Sequence, residues 1–272
     1  MPDNDSLNAY TPVEIARRVE AAAETKARMA LLPLAMLSVL AGAFIGLGAM
    51  LSVMVRSDAS LGFAASTFLS GLVFSLGLLM VVVAGAELFT GNNLLVMAWA
   101  DRRITTAQVL RNWVVVCLGN LVGAVGLAWL VFASGHTSMN AGAVGQKVVH
   151  IALAKQALPL WSAFLRGVLC NVLVCLAVWM AMGGRSVTDK AVAVVFPVMA
   201  FVAAGFEHSI ANMYLMPQAL LLQASGVLAE GPPITMTGML GNWGPVILGN
   251  LVGGAGLVGG VYWTVYLRQS RG

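Results

Sequence analysis

Charge is scarce in this sequence. Only 10% of its 272 residues are Asp, Glu, Lys or Arg, against 59% apolar residues, a balance that excludes an ordinary soluble domain, in which about 25% are charged. Lipid is the expected solvent for most of the chain. There are eleven carboxylates, and only Glu87 and Glu207 fall within apolar stretches. Cysteine is also rare: Cys117, Cys170 and Cys175 lie in apolar runs without paired spacing, which argues against a disulfide framework or a zinc site. No metal cluster, nucleophile–base pair or cofactor loop is visible, so neither an enzyme nor a cofactor is expected. The net charge of +4 does not indicate nucleic acid, because the basic residues are scattered among connections rather than gathered with aromatics on one soluble face.

What the chain does have is long apolar segments. A spanning helix needs about 20 apolar residues, and Met29 to Val55, Trp113 to Phe132, Ala157 to Met182 and Leu240 to Leu267 each supply one. Leu61 to Ala86 is a second span that breaks at Glu87-Leu88-Phe89-Thr90-Gly91-Asn92-Asn93. Ala191 to about Ala229 is a long fifth span interrupted at Gly205-Phe206-Glu207-His208-Ser209. The first 28 residues are polar and mildly amphipathic and lack the apolar core of a cleaved signal, so a retained helix at the cytoplasmic membrane surface is expected. The resulting division is 1–28 N-terminal segment, 29–135 first membrane repeat, 136–156 external connection, 157–267 second repeat and 268–272 tail.

The two halves repeat. Asn112-Trp113 and Leu118-Gly119-Asn120-Leu121-Val122-Gly123 return 130 positions later as Asn242-Trp243 and Leu248-Gly249-Asn250-Leu251-Val252-Gly253. Gly85, Glu87 and Asn92 match Gly205, Glu207 and Asn212, and Ala43-Phe44 matches Ala163-Phe164, at an offset of 120. Three spans per half invert the second half relative to the first, giving six transmembrane helices in an inverted three-plus-three repeat. Such repeats place substrate sites near the midplane, at broken helices. Lys and Arg number eleven on the side of both termini and three on the other, so both termini are expected in the cytoplasm. Arg166, near the outer end of the fourth span, either snorkels or faces the outer mouth.

An ionisable group inside the membrane is a functional candidate by default, and His208 is the only histidine in the apolar spans. The alternative is a histidine that only satisfies backbone at the break. Thr90 in the first break offers an anion a hydroxyl without the trap of a full charge; the alternative is a helix cap. Glu87 and Glu207 suit a structural role, since a bare carboxylate repels an anion, with a proton relay as the other reading. Neither break carries the Asn-Pro-Ala of an aquaporin-type neutral-solute channel, which shares the inverted six-span plan.

The phrases Gly205-Phe206-Glu207-His208-Ser209-Ile210-Ala211-Asn212-Met213, Glu87-Leu88-Phe89-Thr90-Gly91-Asn92, Leu169-Cys170-Asn171-Val172-Leu173-Val174-Cys175 and Gly249-Asn250-Leu251-Val252-Gly253-Gly254 together resemble the formate/nitrite transporter family. The resemblance implies an all-α membrane protein with an aquaporin-like protomer, one axial pore per subunit, assembled as a homopentamer in the lipid bilayer of a bacterial inner membrane. It implies passage of a small monovalent anion, by channel or proton-linked mode, with formate first and nitrite, hydrosulfide or a short carboxylate as alternatives. By motif, His208 and Thr90 become a central polar pair. Phe74, Leu78 and Phe201 with Leu88, Phe89 and Val174 become apolar constrictions. Asn171, Glu207 and Asn250 become the polar support of the histidine, and Lys155 resembles a lysine that draws anions into the vestibule. Gly184-Arg185-Ser186 and Phe196-Pro197-Val198 resemble the formate subgroup, whereas Arg166 is more like a basic residue of nitrite channels.

Overall fold

A computed structural model describes residues 8–226 and 231–268, all in helices and turns. The C-terminal tail beyond Arg268 and the expected fifth-span end at Ala229 lie outside the described residues. The helices are α1 (Pro12–Arg28), α2 (Leu31–Arg56), α3 (Phe63–Met80), α4 (Val96–Ala100), α5 (Thr106–Ala133), α6 (Ala143–Gln156), α7 (Leu160–Gly183), α8 (Val187–Ala203), α9 (Ser209–Ala224), α10 (Met236–Leu251) and α11 (Val261–Tyr266). Widened helical turns extend α3 through Val81–Gly85 and join α10 to α11 through Val252–Gly260.

Among the described residues, five helical stretches are long and apolar enough to cross a membrane: Leu31–Arg56, Phe63–Gly85, Thr106–Ala133, Leu160–Gly183 and Met236–Tyr266. The chain is therefore a multi-pass membrane protein. α8 and α9 are shorter, because the chain leaves helical geometry between Ala203 and Ser209. Local chemistry sets the starts. Thr11 with Glu14, Thr105 with Gln108 and Ser186 with Asp189 form reciprocal capping boxes that satisfy otherwise orphaned donors.

Glycine allows the closest helix approaches. A Cβ on Gly123 would collide with the Val39 carbonyl, joining α5 to α2, and one on Gly253 would collide with the Val168 carbonyl, joining α10 to α7. These are the repeated glycines, in equivalent places. Small residues supply close packing where lipid offers no hydrophobic drive for association.

The expected N-terminal helix forms, but its apolar stripe lies on protein. Ile15, Ala16 and Val19 pack with Trp179 and Val258, while Ala23 and Ala27 pack with Leu95 and Ile104. A stripe at three- and four-residue spacing covers a groove of the chain's own bundle as readily as a lipid surface. At its centre Glu20 is 2% exposed, beside Asp101 and 3.0 Å from the Arg103 guanidinium, which also reaches Glu24 at 3.0 Å and Asp101 at 3.2 Å. Burial, and then the hydrogen bond with Asp101, push the Glu20 carboxyl up to about 7, against the pull of Arg103.

A carboxyl raised by docking stabilises the docked state fully below its ordinary value of 4.5, and that contribution is lost as pH rises through about 7. The opening of α1, read as amide protection after correction for the intrinsic exchange rate, should therefore grow as pH rises from about 4.5 to about 7 and level off above it. Glu20→Gln should flatten the response. An unchanged pH profile in the variant would show that another group controls the docking.

Candidate functional site

The site begins with two places where the backbone stops being helical inside the bundle. Gly85 and Gly205 take positive φ, +83° and +68°, which L side chains rarely adopt. After each, a backbone N–H turns back, Ala86 to Val81 and Phe206 to Phe201, both at 3.0 Å. The next amides cross to neighbouring helices: Glu87 N–H donates to the Leu37 carbonyl and Glu207 N–H to the Arg166 carbonyl, both at 3.2 Å.

One asparagine holds each break. The Asn120 amide donates to the Ser38 and Glu87 carbonyls at 2.7 and 2.9 Å and accepts from Phe89 N–H at 2.9 Å. Asn250 donates to the Gly167 and Glu207 carbonyls at 2.8 and 3.1 Å and accepts from Ser209 N–H at 3.1 Å. Each side chain replaces two bonds that an unbroken helix would have supplied and ties the break to a neighbouring helix through the third.

Each glutamate is neutralised by a lysine and steadied by two asparagines. Lys26 Nζ lies 2.7 Å from Glu87 and 3.1 Å from the Asn92 oxygen; Asn92 donates to Glu87 at 2.7 Å and to Asn112 at 3.0 Å. Lys155 Nζ lies 2.9 Å from both Glu207 oxygens; Asn212 donates to Glu207 at 2.6 Å and to Asn242 at 2.8 Å. Asn112 and Asn242 in turn donate to the carbonyls of Lys26 and Lys155. The equivalence thus extends to α1 and α6. It also corrects a registration: Leu37 stands opposite Arg166, and Ser38 opposite Gly167, so Ala43-Phe44 is not the structural partner of Ala163-Phe164.

Between the breaks, Thr90 Oγ1 and His208 Nε2 meet at 3.1 Å, both side chains buried. Thr90 does not use its hydroxyl as a cap. His208 is itself the N-cap of α9, its Nδ1 accepting Ala211 N–H at 3.2 Å. An accepting Nδ1 carries no proton, so the neutral ring holds its proton on Nε2 and donates to Thr90. The Thr90 hydroxyl hydrogen then remains available to a ligand. His208 thus satisfies backbone at the break and also presents a donor to Thr90.

Two cavities flank this pair. One, of about 350 Å3, is bounded by α6 and includes Phe74, Phe201, Glu207 and His208; the other, of about 330 Å3, is bounded by α1 and includes Leu78, Glu87, Leu88 and Asn92. Phe74 and Leu78 are one turn apart on α3, so the cavities approach within about 6 Å along that helix. The Phe74 and Phe201 rings meet edge to face at 5.7 Å, and Phe201 stacks along His208 at 5.9 Å.

Phe89 and Val174 are buried but wall neither cavity. Asn171 makes its hydrogen bonds to residues other than His208. Its amide donates to the Thr90 carbonyl at 3.2 Å, to the Asn93 oxygen at 3.1 Å and to the Asn250 carbonyl, so it positions the threonine. Asn250 and Glu207 do flank the histidine, through the backbone on either side. Sequence reasoning missed the pairing of Lys26 with Glu87, although aligning α1 with α6 puts Lys26 opposite Lys155.

The chain is similar to known proteins over nearly its whole length. The family described as Formate/nitrite transporter matches residues 13–264. The formate channel FocA of Escherichia coli strain K12 is 37% identical over 282 residues, covering 99% of each chain. FocA of Haemophilus influenzae is 39% identical, covering 94% of this chain and 95% of its own. Two solved structures are similar. A pentameric formate channel with formate bound gives a TM-score of 0.81 at 36% identity, covering 88% of this chain and 98% of its own. An FNT family ion channel gives 0.82 at 32%, covering 92% and 98%. With a family match over nearly its whole length and relatives above one-third identity end to end, the chain belongs to the formate/nitrite transporter family.

Proposed function

We propose that this chain is a channel or proton-linked transporter for small monovalent anions, formate first, with one pathway per protomer of a homopentamer. The contact that carries the reading is Thr90 with His208, a pair of neutral donors between two cavities and behind apolar side chains. The similarity to formate channels, one of them pentameric with formate bound, supports the substrate and the assembly.

The membrane arrangement follows. The five long helices and the α8–α9 pair make six crossings, inverted between halves, in a bacterial inner membrane with both termini cytoplasmic. The α6 cavity opens outward and the α1 cavity inward. Phe74 and Phe201 guard the outer approach, Leu78 and Leu88 the inner one. An anion stripped of water there loses several kcal/mol of solvation. The Thr90 hydroxyl, polarised by His208 Nε2–H, returns part of that without the tight hold of a fixed cation. In the proton-linked mode His208 takes a proton while the anion is beside it and passes it on, so the neutral acid leaves. Charging the ring through Nδ1 displaces Ala211 N–H, which ties the charged form to the presence of an anion.

Proteoliposomes should take up formate in stopped-flow assays far faster than protein-free vesicles, and native mass spectrometry should show five chains. A stable, active monomer would remove the assembly, and formate flux no greater than the vesicle background would remove the function.

Phe201→Ala and Leu88→Ala should each raise acetate flux relative to formate by roughly tenfold, the scale of discrimination a few methylenes provide in an apolar pocket. If relative fluxes of formate, acetate and lactate stay fixed in both variants, these side chains do not select size.

His208→Asn keeps a cap and a donor but cannot titrate. Residual formate conductance with loss of acid-stimulated uptake is expected when formate and proton fluxes are recorded together across a pH gradient, on protein of verified oligomeric state. A wild-type pH response in the variant would make the histidine purely structural.

A further inference from the structure

Charge is not distributed equally between the two cavities. In the α6 cavity Glu207 is the only carboxylate among the lining residues, and Lys155 spends its charge on it through both oxygens. Lys155 therefore adds little net positive potential. Two cations remain in the same wall, Arg56 and Arg166, with His150 beside them on α6. Arg56 donates from Nε to Ser70 Oγ at 3.0 Å and from a terminal nitrogen to the Val202 carbonyl at 3.0 Å, both neutral acceptors that leave its charge uncompensated. The Arg166 side chain is exposed, and no hydrogen bond or ion pair is recorded for it among the described residues. It sits six residues into α7, roughly 9 Å from the helix start, where an unpaired guanidinium is costly unless it faces water.

The equivalent position in the α1 cavity makes the contrast direct. Glu87 N–H is accepted by Leu37 and Glu207 N–H by Arg166, and both acceptors line their cavities. The α1 cavity thus has an apolar side chain where the α6 cavity has a cation. Its remaining cation besides the paired Lys26 is Lys190.

We propose that Arg166, held with Arg56 in the α6 cavity, forms a one-sided anion-holding station in front of the Phe74–Phe201 constriction. This rests on the transport reading above and deepens it. Its ligand class is a small carboxylate or similarly planar oxyanion, which the guanidinium fork matches through two parallel hydrogen bonds. Arg56 is fixed by its bonds to α3 and α8 and supplies field, while exposed Arg166 supplies the adaptable contact. The station acts before dehydration, so it raises local anion concentration and capture and leaves the later passage past Thr90 and His208 unchanged. The two faces of the protein should then differ in half-saturating concentration.

The test measures initial formate flux against formate concentration from each face, in right-side-out and inverted membrane vesicles. Arg166→Gln should raise the half-saturating concentration about three- to tenfold from the α6 face, the range for one partly screened charge, with the maximal rate and the α1-face value unchanged. Arg166→Lys should lie between wild type and Arg166→Gln, because it keeps charge but loses the fork. In the wild type, added salt should weaken capture more from the α6 face, a measurement that decides the matter if a variant fails to assemble. Equal half-saturation and equal salt response from both faces, with formate still conducted, would overturn the station and leave the channel standing. Absence of formate flux in the wild type would overturn the transport reading itself.

Discussion

The whole arrangement depends on satisfying backbone polar groups where two helices stop inside the membrane. The helical bonds lost there have to be replaced from within the bundle, because each unsatisfied buried group costs about 1–3 kcal/mol. Asn120 and Asn250 each meet two of these demands with one side chain and anchor the break to a neighbouring helix with a third bond. An asparagine can do so because its amide offers acceptor and donors in one plane. The glycines around them let α2 approach α5, and α7 approach α10, closely enough for a short side chain to reach both the break and the neighbouring helix. Thr90 and His208 are then delivered to each other by backbone that these clamps hold, with Asn171 fixing the threonine carbonyl from α7.

The second constraint is charge balance beside an anion's path. Glu87 and Glu207 face the cavities, and either carboxylate alone would repel the substrate proposed here. Lys26 and Lys155 neutralise them, and Asn92 and Asn212 occupy carboxylate oxygens with donors. Neither lysine is therefore a free attractor, and neither glutamate a free repeller. The pairs also pin α1 and α6, the two short helices that cover the breaks, so the same interaction that neutralises the walls fixes their shape.

Much of this was legible in the sequence because it is written in length and spacing. Uncharged runs of about 20 residues gave the long helices, and the polar interruptions at Glu87 to Asn93 and at Gly205 to Ser209 gave the breaks. The repeated Leu-Gly-Asn-Leu-Val-Gly pointed to Asn120 and Asn250 as groups that hold the breaks, although not to the backbone atoms they bond. Lys26 was missed because a lysine in a polar amphipathic segment reads as a solvated face; only its place opposite Lys155 reveals the buried partner. Ala43-Phe44 misled because two common apolar residues carry little information about register, whereas hydrogen bonds fixed Leu37 against Arg166. The family resemblance implied Asn171 as support of the histidine, whereas its amide bonds the carbonyl of Thr90, which comes from the other half of the chain. Phe89 and Val174 could not be separated from Leu88 and Phe201 by composition, since the side of a helix or break that faces a cavity depends on packing.

On the proposed reading, the combination of apolar constriction and neutral donors would distinguish anions by charge. In a continuum description the cost of moving an ion from water into a low-dielectric passage rises as the square of its charge, so a divalent anion faces about four times the penalty of a monovalent one of equal size. What a hydroxyl and an imidazole N–H can return rises only in proportion to charge, since they are dipoles of fixed size. Doubling the charge therefore widens the deficit instead of cancelling it. A fixed ammonium at the midplane would narrow that gap, but it would also hold a monovalent anion too strongly for release. With both lysines paired with glutamates, the centre at Thr90 and His208 carries no fixed ammonium, which on the proposed reading would keep it selective while still allowing rapid departure.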